Sequence, residues 1–216
     1  TVEKIFLQNN IAVMCGGTGL YIKAFTDGLD AIAETDEAVK NEISKNYEQQ
    51  GIEWLKHQIR ELDPLFWQEG EIKNPHRLMR ALEVVITTGK SIIAQQKKIK
   101  KQRDFNIIKI GLDVPRDILY ERINNRVEVM RENGLEDEVK KLLPFKTLNA
   151  LQTVGYRELF NYFEGQISLE SAFVLIKQNT RHYAKRQITW FKKEEEIQWL
   201  EPNKIMEVIE KLAITN

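Results

Sequence analysis

The chain has 216 residues, 42% of them hydrophobic, enough for one large domain or a domain carrying an insertion. Lys and Arg total 32 against 32 Asp and Glu, so net charge argues neither for nor against a polyanionic partner, and the distribution of charge has to decide. The single cysteine, Cys15, excludes an intramolecular disulfide and a cysteine metal cluster, and no apolar run reaches the roughly 18–20 residues of a membrane span, so a soluble cytoplasmic protein is expected.

The opening TVEKIFLQNN has neither an initiating Met nor a signal-peptide pattern and reads as the tail of a helix, so the chain is expected to be part of a longer protein. The run IAVMC (11–15) followed by GGTG (16–19) predicts a buried strand, a tight glycine loop and a helix beginning at Leu20. Residues 27–69 turn acidic and helical in pattern, with Val39, Ile43, Tyr47, Trp54, Leu55, Ile59 and Leu62 as the apolar set. Asn74-Pro75 is a helix-start signal, Leu78, Leu82 and Val85 form a stripe, and Gly89 should end that helix. A basic linker follows with Lys90, Lys97, Lys98, Lys100, Lys101 and Arg103. Asn106–Val114 predicts a second core strand, Arg116–Leu143 one long helix with Ile123, Val127 and Met130 inward, VGYREL a helix to about Glu164, and Ser168–Lys193 another. The stretch from IQWLEP to a last helix at Lys204–Leu212 carries no special signal.

Several motifs admit two readings. TTGKS (87–91) contains the Gly-Lys-Ser ending of a phosphate loop, but Val84 stands where that motif needs glycine and the context is a helix end, so Gly89 reads as a C-cap. CGGTG follows a strand, where α/β sheets present ligand loops; it is equally a plain strand-to-helix turn. Arg77 with Arg80, and Arg122 with Arg126, each share a helical face and could hold phosphates or simply face water. Residues 171–193 are more telling: Lys177, Arg181, Lys185, Arg186, Lys192 and Lys193 occur without one acid, interleaved with His182, Tyr183 and Trp190. Cations neutralise phosphates while aromatic faces stack on unpaired bases, the combination single-stranded RNA recognition uses. His57, His76 and His182 lack ligand-like spacing.

Taken in order, GGTGLYIKA (16–24), DP (63–64) with NPHRLMRALEV (74–84), the TGK step, LDVPRDILYERINNRVEVM (112–130), TVGYREL (153–159) and TRHYAKRQITWF (180–191) resemble the bacterial tRNA dimethylallyltransferase family over essentially the whole chain. The resemblance implies an α/β fold: a P-loop-kinase-like parallel sheet, here without its first strand and P-loop, formed by residues 1–26 and 90–216, with a tRNA-binding helical insertion at 27–89. It implies transfer of a dimethylallyl group from dimethylallyl diphosphate to N6 of adenosine 37 in tRNA, with the adenine drawn out of the anticodon stem-loop stack. By motif, Thr18 is the hydroxyl near the reacting amine. His76, Arg77, Leu78, Met79 and Arg80, then Gln152, Thr153, Val154, Gly155, Tyr156 and Arg157, then Lys185, Arg186, Gln187, Ile188, Thr189, Trp190, Phe191 and Lys192 match segments that meet tRNA. Arg122 and Arg126 are assigned to the diphosphate by analogy with kinase lid arginines. The family's GPT-x-SGK-[ST] loop and DS motif do not occur here; by domain size about 90 family residues are absent. Mg²⁺ is the implied cofactor, its ligands expected mainly in that part, so the chain alone is expected to be inactive and the full-length protein monomeric. Two other readings stand beside this one: an RNA-binding fragment without catalysis, and an enzyme prenylating adenine nucleotides.

Overall fold

The computed structural model describes residues 2–97 and 99–214, with side chains described through Glu210, so Lys98 of the basic linker lies outside the described residues. The chain divides into two compact units, Lys23–Phe105 and, together, Thr1–Ile22 with Asn106–Asn216.

Two short helices open the chain, α1 (Val2–Phe6) and α2 (Gly19–Thr26). The Lys23–Phe105 unit is helical. Its α3 (Glu37–Leu62) starts on Asp36, whose carboxylate accepts from the Ala38 amide at 2.8 Å, and it breaks its helical path at Gly51, where φ is 73°. Asp63 closes α3 and opens α4 (Pro64–Glu69), accepting from Phe66 N–H at 2.9 Å. In α5 (Pro75–Thr88) Asn74 caps the amides of His76 and Arg77 and Pro75 fills the first turn, where its missing N–H costs nothing. Gly89, left-handed at φ 68°, ends the helix by returning its N–H to Val85, so the GKS of TTGKS is a helix terminus followed by α6 (Ile92–Gln95). The α3–α5 pair buries Ile43, Leu55, Ile59, Leu78, Ala81, Leu82 and Val84. Each fully buried leucine contributes on the order of 1.5–3 kcal/mol of transfer free energy.

This unit is wider than the 27–89 insertion expected from sequence. The basic linker straps itself to residues 24–30: Lys101 N–H reaches Asp27 O at 2.6 Å, Lys97 N–H reaches an Asp30 carboxylate oxygen at 3.0 Å, and Arg103 caps the carbonyls of Ala24, Phe25 and Thr26. Phe25 and Phe105 stack at 6.1 Å. Lys97, Lys101 and Arg103 therefore close the unit through ordinary backbone and carbonyl hydrogen bonds, which charge counting does not foresee.

The other unit pairs β1 (Lys109–Leu112) in parallel with β2 (Ile197–Leu200), in register Lys109 to Ile197 through Leu112 to Leu200. A parallel pair needs a long crossover, supplied here by α7 (Arg116–Glu132), α8 (Leu135–Leu142), α9 (Tyr156–Phe163) and α10 (Leu169–Phe191). After β2 comes α11 (Ile205–Ile214). The helices bury Val127, Leu135, Val139, Leu159, Phe160, Ala172, Phe173 and Ile176.

Three expectations are corrected here. IAVMC is not a strand: residues 11–15 have no ladder partner among the described residues, and Val13 and Met14 are 66% and 51% exposed. A strand exists only by pairing, and an apolar run cannot announce its partner. The helix from Arg116 ends at Glu132, because Asn133-Gly134 forms a turn with Gly134 at φ 85°. The strand expected over Asn106–Val114 is limited to the four residues that β2 covers, and β2 itself carries no sequence signal because it is only as long. The α/β class thus holds in a coarse sense, a mostly helical chain with a two-stranded parallel sheet.

Candidate nucleic-acid interface and the glycine loop

The long helix α10 is built in two parts. Its first three turns lie antiparallel to α7 and are tied to it along a ladder: Arg131 pairs with Glu170 and stands over the Phe173 ring, Lys177 pairs with Glu128, and Arg181 donates to Asn124 at 2.7 Å. Two of the six cations read from sequence as RNA-facing, Lys177 and Arg181, are therefore engaged within the protein.

Beyond Arg181 the partners change. Lys185, Arg186, Lys192 and Lys193 are exposed and have no ion pair among the described residues; Arg186 rests on the Tyr183 ring at 5.6 Å and Lys192 on the Trp199 ring at 5.9 Å. At about 100° per residue, Tyr183, Gln187 and Trp190 align on one stripe, while Lys185, Arg186, Thr189, Lys192 and Lys193 spread over the adjoining solvent arc. Ile188 and Phe191 are half-buried.

The glycine loop rests on that stripe. A Cβ placed on Gly17 would stand 3.0 Å from Cδ of Gln187 and nearer still to its amide nitrogen, and one on Gly19 would stand 2.7 Å from Cε2 of Trp190. Against the Trp190 indole only glycine permits this approach, whereas the amide end of Gln187 could swing aside for a methyl at position 17. Between the two, Thr18 is exposed, its carbonyl accepting from Tyr21 and Ile22 to start α2, its hydroxyl without a hydrogen-bond partner among the described residues. The structure thus brings together Thr18 and the Lys185–Lys192 segment, far apart in sequence.

The third expected segment joins α10 at its middle. Gly155 adopts φ 103°, a conformation costly for any residue with a Cβ. Its N–H donates to the buried Glu158 at 2.8 Å, and the other carboxylate oxygen accepts from Asn179 of α10 at 2.6 Å. Thr153 O accepts from Arg157 N–H, Val154 packs on the helical core, and Gln152 donates to Lys146 O. The Tyr156 hydroxyl donates to Glu138, which holds the phenol above its ordinary pKa, with burial adding to the effect. Gln152, Arg157, Lys146, Thr147, Asn161 and Asn179 line part of an open depression of about 430 Å³. Glu158 and Asn179 went unnoticed in the sequence, although a Glu three residues after a helix-capping position is a legible signal.

In the Lys23–Phe105 unit, His76 and Arg77 are exposed on the first turn of α5. Leu78 is fully buried in the α3–α5 core, which corrects its assignment as a tRNA contact, and Met79 packs against the same core. Arg80 is committed to the protein: its guanidinium donates to Thr35 at 3.0 Å and Glu83 at 3.1 Å, pinning residues 33–35 onto α5. Arg122 and Arg126 are exposed, but α7 uses Tyr120, Asn124, Glu128 and Arg131 toward α10, which places the two arginines on roughly the opposite side of the helix.

A parallel strand pair with a helical crossover, a glycine loop and a cation-rich helix end define a mostly helical α/β chain with an exposed basic-aromatic helix end. Residues 1–194 match the family model described as IPP transferase, and the chain belongs to that family. It is 46% identical over 200 residues to the tRNA dimethylallyltransferase of Christiangramia forsetii, covering 93% of this chain and 66% of the relative, and 41% identical over 215 residues to tRNA dimethylallyltransferase 1 of Bacteroides thetaiotaomicron, covering 100% and 70%. Among solved structures it is similar to the full-length tRNA isopentenylpyrophosphate transferase from Bacillus halodurans, at a TM-score of 0.55 and 34% identity over 91% of this chain and 63% of that one. It shares its fold with a eukaryotic dimethylallyltransferase acting on tRNA, at a TM-score of 0.69 and 22% identity over 93% and 53%. The chain thus spans about two thirds of the length of the curated relatives it matches.

Proposed function

We propose that the protein carrying this chain transfers a dimethylallyl group from dimethylallyl diphosphate to N6 of an adenosine in tRNA, adenosine 37 of the anticodon stem-loop. The observation that carries the reading is the seating of the Thr18 loop on α10 beside an exposed run of unpaired cations. The names of the 46% and 41% identical relatives support it. In the reaction the C1–O bond to diphosphate breaks, a C1–N6 bond forms and N6 loses a proton. An exocyclic adenine amine is a weak nucleophile, so a group that holds it in place raises the rate. Thr18, with an exposed hydroxyl able to donate and accept, suits that role. Lys185, Arg186 and Lys192 suit the phosphates of a single-stranded loop, and Tyr183 offers a ring for a base. His76, Arg77, Gln152 and Arg157 are exposed and remain available to the same RNA. The parallel β1–β2 pair fits a P-loop-kinase-like sheet, and a cytoplasmic location fits a tRNA substrate.

The diphosphate role expected for Arg122 and Arg126 draws no support from their position. Mg²⁺, the cofactor the resemblance implies, binds through one or two carboxylates together with substrate phosphates, and among the described residues no group of three or more His, Cys, Asp or Glu could hold a metal ion. No helix among the described residues is long and apolar enough to cross a membrane.

The test is the gene product that carries this sequence, supplied with dimethylallyl diphosphate and either tRNA or AMP. Dimethylallyl adenosine in tRNA, with AMP a poor acceptor, is the expected result. Salt-dependent tRNA binding without product favours the RNA-binding reading, and preference for AMP favours nucleotide prenylation.

A further inference from the structure

The family resemblance assigns Gln187 and Trp190 to tRNA along with their neighbours, but their surroundings differ from those of the lysines beside them. Both contact the glycine loop: the Gln187 amide lies against Gly17, and the Trp190 indole lies against Gly19 so closely that it leaves no room for a Cβ there. Between these two contacts Thr18 is exposed. Gln187 and Trp190 are three residues apart, nearly one helical turn, so a rigid helix sets their separation. Of the cations, Arg186 rests on the Tyr183 end of this stripe. Lys185 and Lys192 project from a different arc of the same helix.

We infer that Gln187 and Trp190 are positioning residues that clamp the glycine loop and so aim the Thr18 hydroxyl, while RNA affinity at this helix end rests on Lys185, Arg186 and Lys192. The inference builds on the prenyl-transfer reading. It divides one short sequence block into a loop-holding stripe and an RNA-holding arc. A hydroxyl placed 1 Å from its productive position loses most of its contribution, whereas RNA affinity depends on charges that the clamp does not include.

Two measurements test it. In the gene product, Gln187→Ala, Trp190→Ala and, from the loop side, Gly19→Ala are expected to lower kcat by about tenfold to a hundredfold with the KM for an anticodon stem-loop within about threefold of wild type. Lys185→Ala should do the reverse, raising KM. Gly19→Ala leaves α10 untouched and so remains informative if Trp190→Ala proves unstable. Independently, Cys15 is the chain's one cysteine and is exposed two residues before Gly17. A nitroxide attached there should become more mobile in all three variants and stay unchanged in Lys185→Ala. An unchanged kcat, a loss of RNA affinity as large as that of Lys185→Ala, or an immobile label overturns the clamp. If the wild-type gene product transfers no prenyl group, the prenyl-transfer reading falls, and the Cys15 label still decides whether the loop is clamped.

Discussion

Residues 169–181 and 182–193 share one long helical run, yet the two stretches use the same kinds of side chain for opposite purposes. In the first, Lys177 and Arg181 are matched by Glu128 and Asn124 of α7, and Ala172, Phe173 and Ile176 are buried. In the second, Lys185, Arg186, Lys192 and Lys193 find no acid, and Tyr183 and Trp190 are 41% and 40% exposed. Along a stretch of helix without acids of its own, a cation meets a partner inside the fold only where another element runs alongside. The ladder to α7 ends at Arg181, and from there on the charge is available to something outside.

The contrast can be broken from either end. The largest effect is expected from Phe173→Ala in the first stretch, at about 3–5 kcal/mol of stability, measured by urea unfolding. Loss of stem-loop binding in that variant should follow unfolding alone. Glu158→Ala comes next. It strands the Gly155 amide and frees Asn179, costing roughly 1–3 kcal/mol, and Glu158→Gln should recover most of that loss, since a glutamine can accept from Gly155 and donate to a flipped Asn179. Lys185→Ala with Lys192→Ala should leave stability within about 0.5 kcal/mol, yet reduce the salt slope of stem-loop binding by roughly 0.7 per phosphate contact removed. Smallest is the pH response at the start of the ladder. The Arg131 guanidinium, hydrogen-bonded to Glu170, holds that carboxyl below its usual value of 4.5. A depressed folded-state pKa stabilises above the unfolded value and ceases to as pH falls through the folded one. Glu170→Gln should therefore make the thermal midpoint slightly less pH-dependent below about pH 5, and a variant as pH-sensitive as wild type there would remove this pair from the account.

What the sequence disclosed follows from how local each determinant is. The Asn74-Pro75 start and Gly89 stop of α5 depend on neighbours in the chain, and so does the start of α10 at Ser168, so these are readable. The basic-aromatic block stands out over 171–193 because mixed charge is the usual pattern on a solvated helix, but that Lys177 and Arg181 are held by α7 is not legible in it. Pairing was not readable. Residues 11–15 have strand composition without a strand, β2 became a strand only beside β1, and Arg80 reads like Arg77 until Thr35 and Glu83 are seen to hold it. The same limit explains why Gln187 was grouped with its basic neighbours: its partner, Gly17, is 170 residues away in the chain and shows itself only through the absence of a Cβ.

The most direct test of the divided helix is hydrogen–deuterium exchange of this chain with and without an anticodon stem-loop RNA. Protection by RNA is predicted at residues 16–19 and 182–193, with residues 169–181 unchanged. Protection confined to residues 169–181, or none within α10 while the RNA binds, would contradict the assignment of this helix end as the RNA-facing site.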